Sequence, residues 1–363
     1  MATRGRTASK PSARRPMAGK VQTVLGPIEP EQLGITLAHE HLLLDLSCFF
    51  KVPEAASERE WMEAPVSIER RGTILARWAY NRDSLGLLDE RVAVEEVLQY
   101  KYAGGQSLVE ATSIGIARDP LGLARISRAT GLNIVMGASH YVPLAHPPDM
   151  DKRSEDSIFE RIVRDVTVGV GDTGVRSGII GEVGNLWPTT ENERKVLRAS
   201  ARAQKETGAS ILIHPGAHPD SPLFIIDELV KAGADPQRVV LGHLDIFNDK
   251  AWAKRLAKTG CVMEWDNFGI EDTNTGPIAH QQIELMSDVQ RMDMIQYLIG
   301  QGYGQKIVVS QDVCFKFSLG RYGGKPYNHI MENIVPRMRK RGFTEKHIND
   351  ILVENPKRIL TFV

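Results

Sequence analysis

The chain has 363 residues, of which 42% are hydrophobic and 25% charged, a composition that is ordinary for a globular enzyme. Its 45 basic and 45 acidic residues balance, so no net field draws it to nucleic acid or an acidic membrane, and no stretch reaches the ~18 consecutive apolar residues of a membrane span. Three scattered cysteines, Cys48, Cys261 and Cys314, argue against a disulfide framework and favour a reducing, cytoplasmic location.

The first 19 residues differ in composition from the rest of the chain. They contain arginine and lysine but no acidic residue, and the others are mostly small. Arg14 and Arg15 lack the apolar stretch that must follow a twin-arginine export signal. An organellar presequence is one interpretation. We favour a disordered basic tail over residues 1–19, followed by a single domain over residues 20–363.

Eight short β-rich runs follow in chain order, and most are continuously apolar, as is typical of strands covered on both faces. They are Ile35–Leu37, Ser107–Thr112, Asn133–Ala138, Gly178–Val183, Ser210–His214, Arg238–His243, Cys261–Trp265 and Lys306–Ser310. Helical patterns lie between them; Thr190-x-x-Glu193, for example, is a capping box before a helix that Gly208 would end. This alternation predicts an α/β fold, a (β/α)₈ TIM barrel.

Two connections in this pattern are long, over residues 42–106 and 266–305. Insertions that follow barrel strands build the pocket over the active-site face. We therefore expect these two segments to cover the site.

Side chains that commonly bind metals stand at the ends of the predicted strands, where the carboxyl ends of parallel strands meet at one face of a barrel. They are His39, His41, Glu182, His214, His243 and Asp312. Intervals of 32 and 29 residues separate the third, fourth and fifth of them, close to the ~31 residues per βα unit of a 250-residue barrel. The pattern predicts a two-metal hydrolytic centre at the barrel mouth.

The two carboxylates suggest particular roles. A buried, unpaired carboxylate is unfavourable, so Glu182 should be neutralised by a cation, and its two oxygens could bridge two metals. Asp312 could bind a metal and also accept a proton as the catalytic residue. Each ligand has a structural alternative as well: a core histidine bonded to backbone, an ion-pair partner for Glu182, or a turn cap for Asp312.

The motifs together resemble those of the amidohydrolase superfamily, in its phosphotriesterase-like branch, from about Gly19 to the end of the chain. They include Gly19-Lys-Val-Gln-Thr-Val-Leu-Gly26, Thr36-x-x-His39-Glu40-His41, Gly178-Ile-Ile-Gly-Glu-Val-Gly184, Ile213-His214-Pro215-Gly216, Tyr322-Gly-Gly324 and Glu354-Asn-Pro356. The resemblance implies a distorted (β/α)₈ barrel with two divalent metal ions, usually Zn²⁺, bridged by a hydroxide that attacks the substrate.

The resemblance also implies which residues bind each metal. His39, His41 and Asp312 would hold the inner metal, His214 and His243 the outer one, and Glu182 would bridge them. The better-known phosphotriesterases have a carbamylated lysine where this chain has Glu182, so phosphotriesterase activity does not transfer directly.

Residues that follow other strand ends are candidates for substrate binding. They are Tyr141 after the third strand, Asp266 and Phe268 after the seventh, and Lys316 and Arg321 after the eighth. A cation at the last two positions could hold a substrate carboxylate, sulfonate or phosphate.

Three functional hypotheses follow, each with a small-molecule substrate. The first is hydrolysis of a small amide, and the resemblance implies an N-acyl amino sulfonate such as N-acetyltaurine. The second applies the same metals to a lactone, a carboxylic ester or a phosphotriester. The third is a barrel that binds a ligand without turnover. The sequence is compatible with a homodimer.

Overall fold

A computed structural model describes residues 17–271, 275–278 and 281–363. Eight parallel strands in this part of the chain, which we number β1–β8, form a (β/α)₈ barrel. They are Thr36–Glu40, Ser107–Glu110, Asn133–Met136, Ile180–Gly184, Ile211–His214, Val239–Leu241, Val262–Trp265 and Ile307–Val309. The prediction of a TIM barrel is confirmed, and each predicted run overlaps one strand, although β1 and β4 extend beyond their runs to Glu40 and Gly184.

The strands form two hydrogen-bonded groups, β1–β3 and β4–β8, in chain order within each. The groups are joined at both sides. Gly181 donates its N–H to the carbonyl of Ala138 (2.7 Å) between β3 and β4, and Asp312 donates to the carbonyl of His39 (3.3 Å) between β8 and β1. The carboxyl ends of all eight strands therefore open at the same face.

In the described part of the chain, one main helix lies between each pair of successive strands, and we number these helices α1–α7. They are Glu90–Tyr102, Pro120–Thr130, Glu155–Thr167, Glu191–Thr207, Asp220–Lys231, Lys250–Ala257 and Asp288–Gly300. Thr190 and Glu193 form the predicted capping box of α4, and Gly208 ends that helix with a left-handed φ of 81°. None of the helices among the described residues is long and apolar enough to cross a membrane.

Shorter elements complete the chain. Helix Arg71–Leu75 lies between β1 and α1, and the chain after β8 contains helices Val335–Lys340, Glu345–Asn349 and Asn355–Leu360 with π-helical turns at Ile330–Ile334 and Asp350–Glu354. Three antiparallel pairs lie outside the barrel: Val21–Thr23 with Gly26–Ile28, Leu44–Asp45 with Gly86–Leu87, and Thr275–Ile278 with Gln281–Ile283.

Apolar side chains from neighbouring strands pack together in the barrel interior. They include Val109, Val135, Leu212, Val240, Val262 and Val308, all at most 2% exposed. A larger cluster packs the outer faces of the strands against the helices. Burial on both faces explains why the strands are continuously apolar rather than alternating.

The predicted basic tail lies outside the described residues as far as residue 16. Residues 17–19 form a turn, and Gly19 donates its N–H to the carbonyl of Phe362 (2.8 Å) at the other end of the chain. The disordered tail over 1–19 and the single domain over 20–363 stay predictions.

Candidate metal centre

The structure brings all six predicted metal ligands together at the carboxyl face of the barrel. His39 lies in β1, with His41 directly after it; Glu182 lies in β4 and His214 ends β5. The other two follow β6 and β8 and are described next. Six side chains from five separate stretches of chain thus share one small volume.

His243 and Asp312 both adopt a left-handed backbone conformation, with φ of 54° and 48°. This region is uncommon for residues other than glycine and, where it persists, must be enforced by the surroundings. The conformation turns both side chains towards the barrel axis just after their strands end. Such local strain is characteristic of functional sites.

Glu182 lies at the middle of the cluster and is 1% exposed. Its Oε1 is 3.4 Å from His41 Nε2, whereas its Oε2 is 3.1 Å from His214 Nδ1, 3.5 Å from His243 Nε2 and 3.6 Å from His39 Nε2. The two oxygens of one carboxylate therefore face different histidines. This is the arrangement needed for a carboxylate that bridges two cations.

Asp312 completes one side of the cluster. Its Oδ1 is 3.3 Å from His41 Nε2 and 3.9 Å from His39 Nε2. Among the described residues, neither Asp312 Oδ1 nor His39 Nε2 has a hydrogen-bond partner, although both atoms are buried. Buried polar atoms are rarely left unsatisfied, and a divalent cation would satisfy both. The ligand set fits a metal.

Electrostatic interactions within the cluster oppose the effects of burial on the pKa values of its side chains. Burial alone would raise the pKa of Glu182, but the charge of His39 and hydrogen bonds from His214, His243 and His41 hold that pKa well below its usual value. Burial alone would lower the pKa of His41, but Asp312 and Glu182 raise it to about 9. Glu182 is thus ionised at neutral pH, and His41 must release a proton before it can bind a metal.

Asp266 does not line the cavity, contrary to its prediction as a substrate contact. It is fully buried behind the histidines, with Oδ2 3.3 Å from His39 Nδ1 and Oδ1 3.0 Å from His243 Nδ1. The backbone N–H of His243 also donates to it (2.9 Å). As Asp266 lies two residues beyond the inward-facing Glu264, its side chain also points into the barrel, where it contacts Nδ1 of both rings and orients them with Nε2 towards Glu182.

Two further residues contact the metal-binding histidines and were not predicted from the sequence. Glu264 Oε2 is 3.4 Å from His39 Nδ1, and the Thr112 hydroxyl is 2.8 Å from His41 Nδ1. Glu264 could have been found by the reasoning that found Glu182, since it is an acidic residue within an apolar run. Thr112 carries no comparable signal.

Replacing Asp266 with asparagine is expected to weaken binding at both metal sites by about 10- to 100-fold, the usual effect of losing a carboxylate partner of a metal-binding histidine. Isothermal titration of the metal-free protein with Zn²⁺ measures this. Thr112→Val provides the comparison, because the Thr112 hydroxyl contacts His41 but none of the other five proposed ligands, so that its loss should weaken one site. Normal affinity at either site in Asp266→Asn would contradict the assignment.

A mainly apolar cavity lies over the cluster. Its lining includes Leu46, Phe49 and Trp78 from the first long connection, Ile270 and Leu285 from the second, and Tyr141, Leu186, Ile246, Asn267, Cys314 and Phe315. Both insertions therefore cover the site as expected. The Tyr141 hydroxyl is 3.4 Å from His214 Nδ1, which is compatible with the predicted contact to substrate.

The other predicted substrate residues lie elsewhere. Phe268 is 1% exposed, and the guanidinium of Arg291 lies 5.6 Å from the centre of its ring. Lys316 donates to Asp83 (2.6 Å), and Arg321 pairs with Glu95 (3.6 Å). Acidic residues thus hold both cations away from the apolar cavity, and none of the described residues that line it is a lysine or arginine.

Comparison with known proteins places the chain in a family. The sequence model of the Phosphotriesterase family matches residues 19–360. The chain belongs to the phosphotriesterase family. It is therefore a metal-dependent hydrolase, in a family built on a binuclear divalent metal centre.

Individual relatives refine this placement. The chain is 42% identical to an N-acetyltaurine hydrolase of Xenopus tropicalis over 349 residues, which are 95% of this chain and 99% of the relative. It superposes on a resiniferatoxin-binding protein from Rhodobacter sphaeroides with a TM-score of 0.91 and 34% identity, covering 95% and 97% of the two chains. It also resembles a lactonase from Listeria monocytogenes, with a TM-score of 0.75 and 27% identity over 95% and 99%.

Proposed function

We propose that this member of the phosphotriesterase family hydrolyses N-acetyltaurine or a closely related N-acyl amino sulfonate. The observation that carries the proposal is the position of Glu182, whose carboxylate lies 3.1–3.6 Å from all four histidines of the cluster. The substrate is inferred from relatives named N-acetyltaurine hydrolase, which are about 40% identical over almost the whole chain.

In this proposal His39, His41 and Asp312 would hold one metal ion, His214 and His243 would hold the other, and Glu182 would contribute to both sites. Imidazole nitrogens and carboxylate oxygens are the usual ligands of Zn²⁺, so we propose zinc. Two such ions, when bound, generate a nucleophile from water at neutral pH and polarise the carbonyl of the scissile bond.

The protein's own groups would then guide the reaction. Asp312 Oδ1 faces His39 and His41, which leaves Oδ2 to accept a proton from the attacking water and pass it to the nitrogen of the leaving amine. The aromatic side chains of the cavity exclude bulk water, which strengthens electrostatic interactions inside it. Tyr141, next to His214, can donate a hydrogen bond to the acyl oxygen. The products are acetate and taurine.

The sulfonate requires a different contact from the one predicted, because Lys316 and Arg321 are paired with acidic residues outside the cavity. Asn267 is the carboxamide among the described lining residues. Its amide nitrogen donates one hydrogen bond to Asp266 Oδ1 (2.6 Å). We propose that it donates its second N–H to the sulfonate.

Turnover of N-acetyltaurine by the zinc-loaded protein is the expected result, measured as release of taurine. A panel of N-acetyl amino acids of equal size tests whether the sulfonate is preferred over a carboxylate. The Asp312→Asn protein is the control for background hydrolysis. The absence of turnover with every N-acyl amino acid and sulfonate would overturn the proposal.

The similarity to a lactonase favours a second candidate, cleavage of an ester or lactone at the same centre. The acetate ester of 2-hydroxyethanesulfonate differs from N-acetyltaurine only at the scissile atom. Competition between these two substrates, together with a panel of lactones, separates the candidates. A ligand-binding role without turnover is less well supported, since all six side chains of the cluster are present and converge.

We also propose a cytoplasmic location. The support is that all three cysteines are free thiols, as expected in a reducing compartment.

A further inference from the structure

The middle residue of the His39-Glu40-His41 motif has no role in the proposed function. Glu40 is fully buried, and its carboxylate does not point towards the metal ligands' free nitrogens. It points instead at the segment that follows β8. Its Oε1 accepts hydrogen bonds from the Ser310 hydroxyl (2.7 Å) and the Gln311 N–H (2.8 Å), and its Oε2 accepts one from the Val313 N–H (3.0 Å).

These donors surround Asp312. The N–H groups of Gln311 and Val313, on either side of it, are bound by the two oxygens of one carboxylate, while the N–H of Asp312 itself donates to the carbonyl of His39 (3.3 Å). The backbone from Ser310 to Val313 therefore curves around the Glu40 side chain, and Asp312 lies in the middle of this curve. These hydrogen bonds tie the backbone on both sides of Asp312 to a single buried side chain.

The backbone of Asp312 needs such support. Its φ of 48° is in the left-handed region, which is unfavourable for an L-residue and persists only where the surroundings enforce it. Relaxation to an ordinary conformation would rotate the side chain away from His41 Nε2, from which its Oδ1 is 3.3 Å distant.

We propose that Glu40 is a positioning residue that holds Asp312 in its reactive orientation. The proposal rests on the proposed function, because it assumes that Asp312 is the proton acceptor. Glu40 touches no reacting atom. It acts through the backbone on both sides of Asp312.

Glu40→Gln keeps the shape of the side chain but replaces one accepting oxygen by a donating NH₂ group. We expect kcat to fall about 100-fold, the effect of a misplacement of about 1 Å, with a much smaller change in KM. In the Asp312→Asn background the same substitution should change kcat by less than about threefold, because residues that act as a unit are not additive. A fall in kcat of similar size in both backgrounds would overturn the proposal.

Glu96→Gln is a matched control. Glu96, in α1, is also a buried glutamate whose two oxygens accept backbone N–H groups after β8, those of Gly320 (2.8 Å) and Arg321 (3.0 Å). These lie farther along the chain and do not flank Asp312. We expect Glu96→Gln to change kcat by less than about threefold, like other substitutions away from the site.

Amide hydrogen exchange provides a readout independent of turnover. Glu40→Gln should accelerate exchange at residues 311 and 313 but not at 320 and 321, and Glu96→Gln should do the reverse. If Glu40→Gln does not fold, the unmodified protein still tests the contact, because its amides at 311 and 313 should exchange slowly. Rapid exchange there would overturn the proposal. Normal turnover in Asp312→Asn would also overturn it, because Asp312 would then not be the proton acceptor. Absence of turnover of every N-acyl substrate by the unmodified protein, with slow exchange at residues 311 and 313, would instead refute the proposed function alone.

Discussion

Replacing Asp312 with asparagine is expected to lower kcat by about 1,000-fold, within the range that a general acid–base residue contributes. Asparagine keeps an oxygen that can bind a metal but cannot accept a proton at neutral pH. Metal content should therefore stay near that of the unmodified protein while turnover is lost. Steady-state kinetics and elemental analysis of the same sample measure the two quantities.

Asp227→Asn is the matched control, because Asp227 lies on the surface of α5 and pairs with Lys231, away from the centre. It should retain full activity. Near-normal turnover in Asp312→Asn would show that another group accepts the proton. Loss of both metals would show that Asp312 is needed mainly as a ligand.

Removal of the metals is expected to abolish hydrolysis, with a loss of at least about 1,000-fold, because water with a pKa of about 15.7 supplies almost no nucleophile at neutral pH without them. After dialysis against a chelator, Zn²⁺ should restore activity and reach its maximum at about two equivalents per chain, the number that a bridged binuclear centre requires. Titration of activity against added metal, followed by elemental analysis, measures the stoichiometry.

Glu182→Ala gives the complementary result. Since each Glu182 oxygen faces a different part of the cluster, this variant should fail to retain a full pair of ions even with excess Zn²⁺. Turnover that persists in the chelated protein, or that peaks at one equivalent, would contradict a binuclear centre.

The ligand cluster could be predicted from sequence because the barrel imposes its geometry. The carboxyl ends of parallel strands meet at one face, so His214 and Glu182 must approach each other whatever the connecting helices contain. Residue type and position relative to a strand end were sufficient to predict which side chains come together. The same reasoning identifies Glu264, an acidic residue in an apolar strand.

The substrate contacts could not be predicted in the same way. Lys316 and Arg321 follow β8, but side chains in a connection have no fixed periodicity, and their direction depends on partners distant in sequence. Asp83 and Glu95 are those partners, and both lie in or next to the long first connection. Glu40 shows the same limit, since its role depends on three hydrogen bonds across the junction between β8 and β1.

The junction between β8 and β1 also determines when the metal centre can form during synthesis. His39 belongs to the first strand of the barrel and Asp312 follows the last, so one proposed ion site combines residues 273 positions apart. A nascent chain that has not emerged beyond β8 lacks Asp312 from that site and has no closed barrel. Metal loading should therefore be a late step in biogenesis, so that catalysis begins only after the whole polypeptide has been made. An ion that binds early to the N-terminal half of the chain would not produce an active centre.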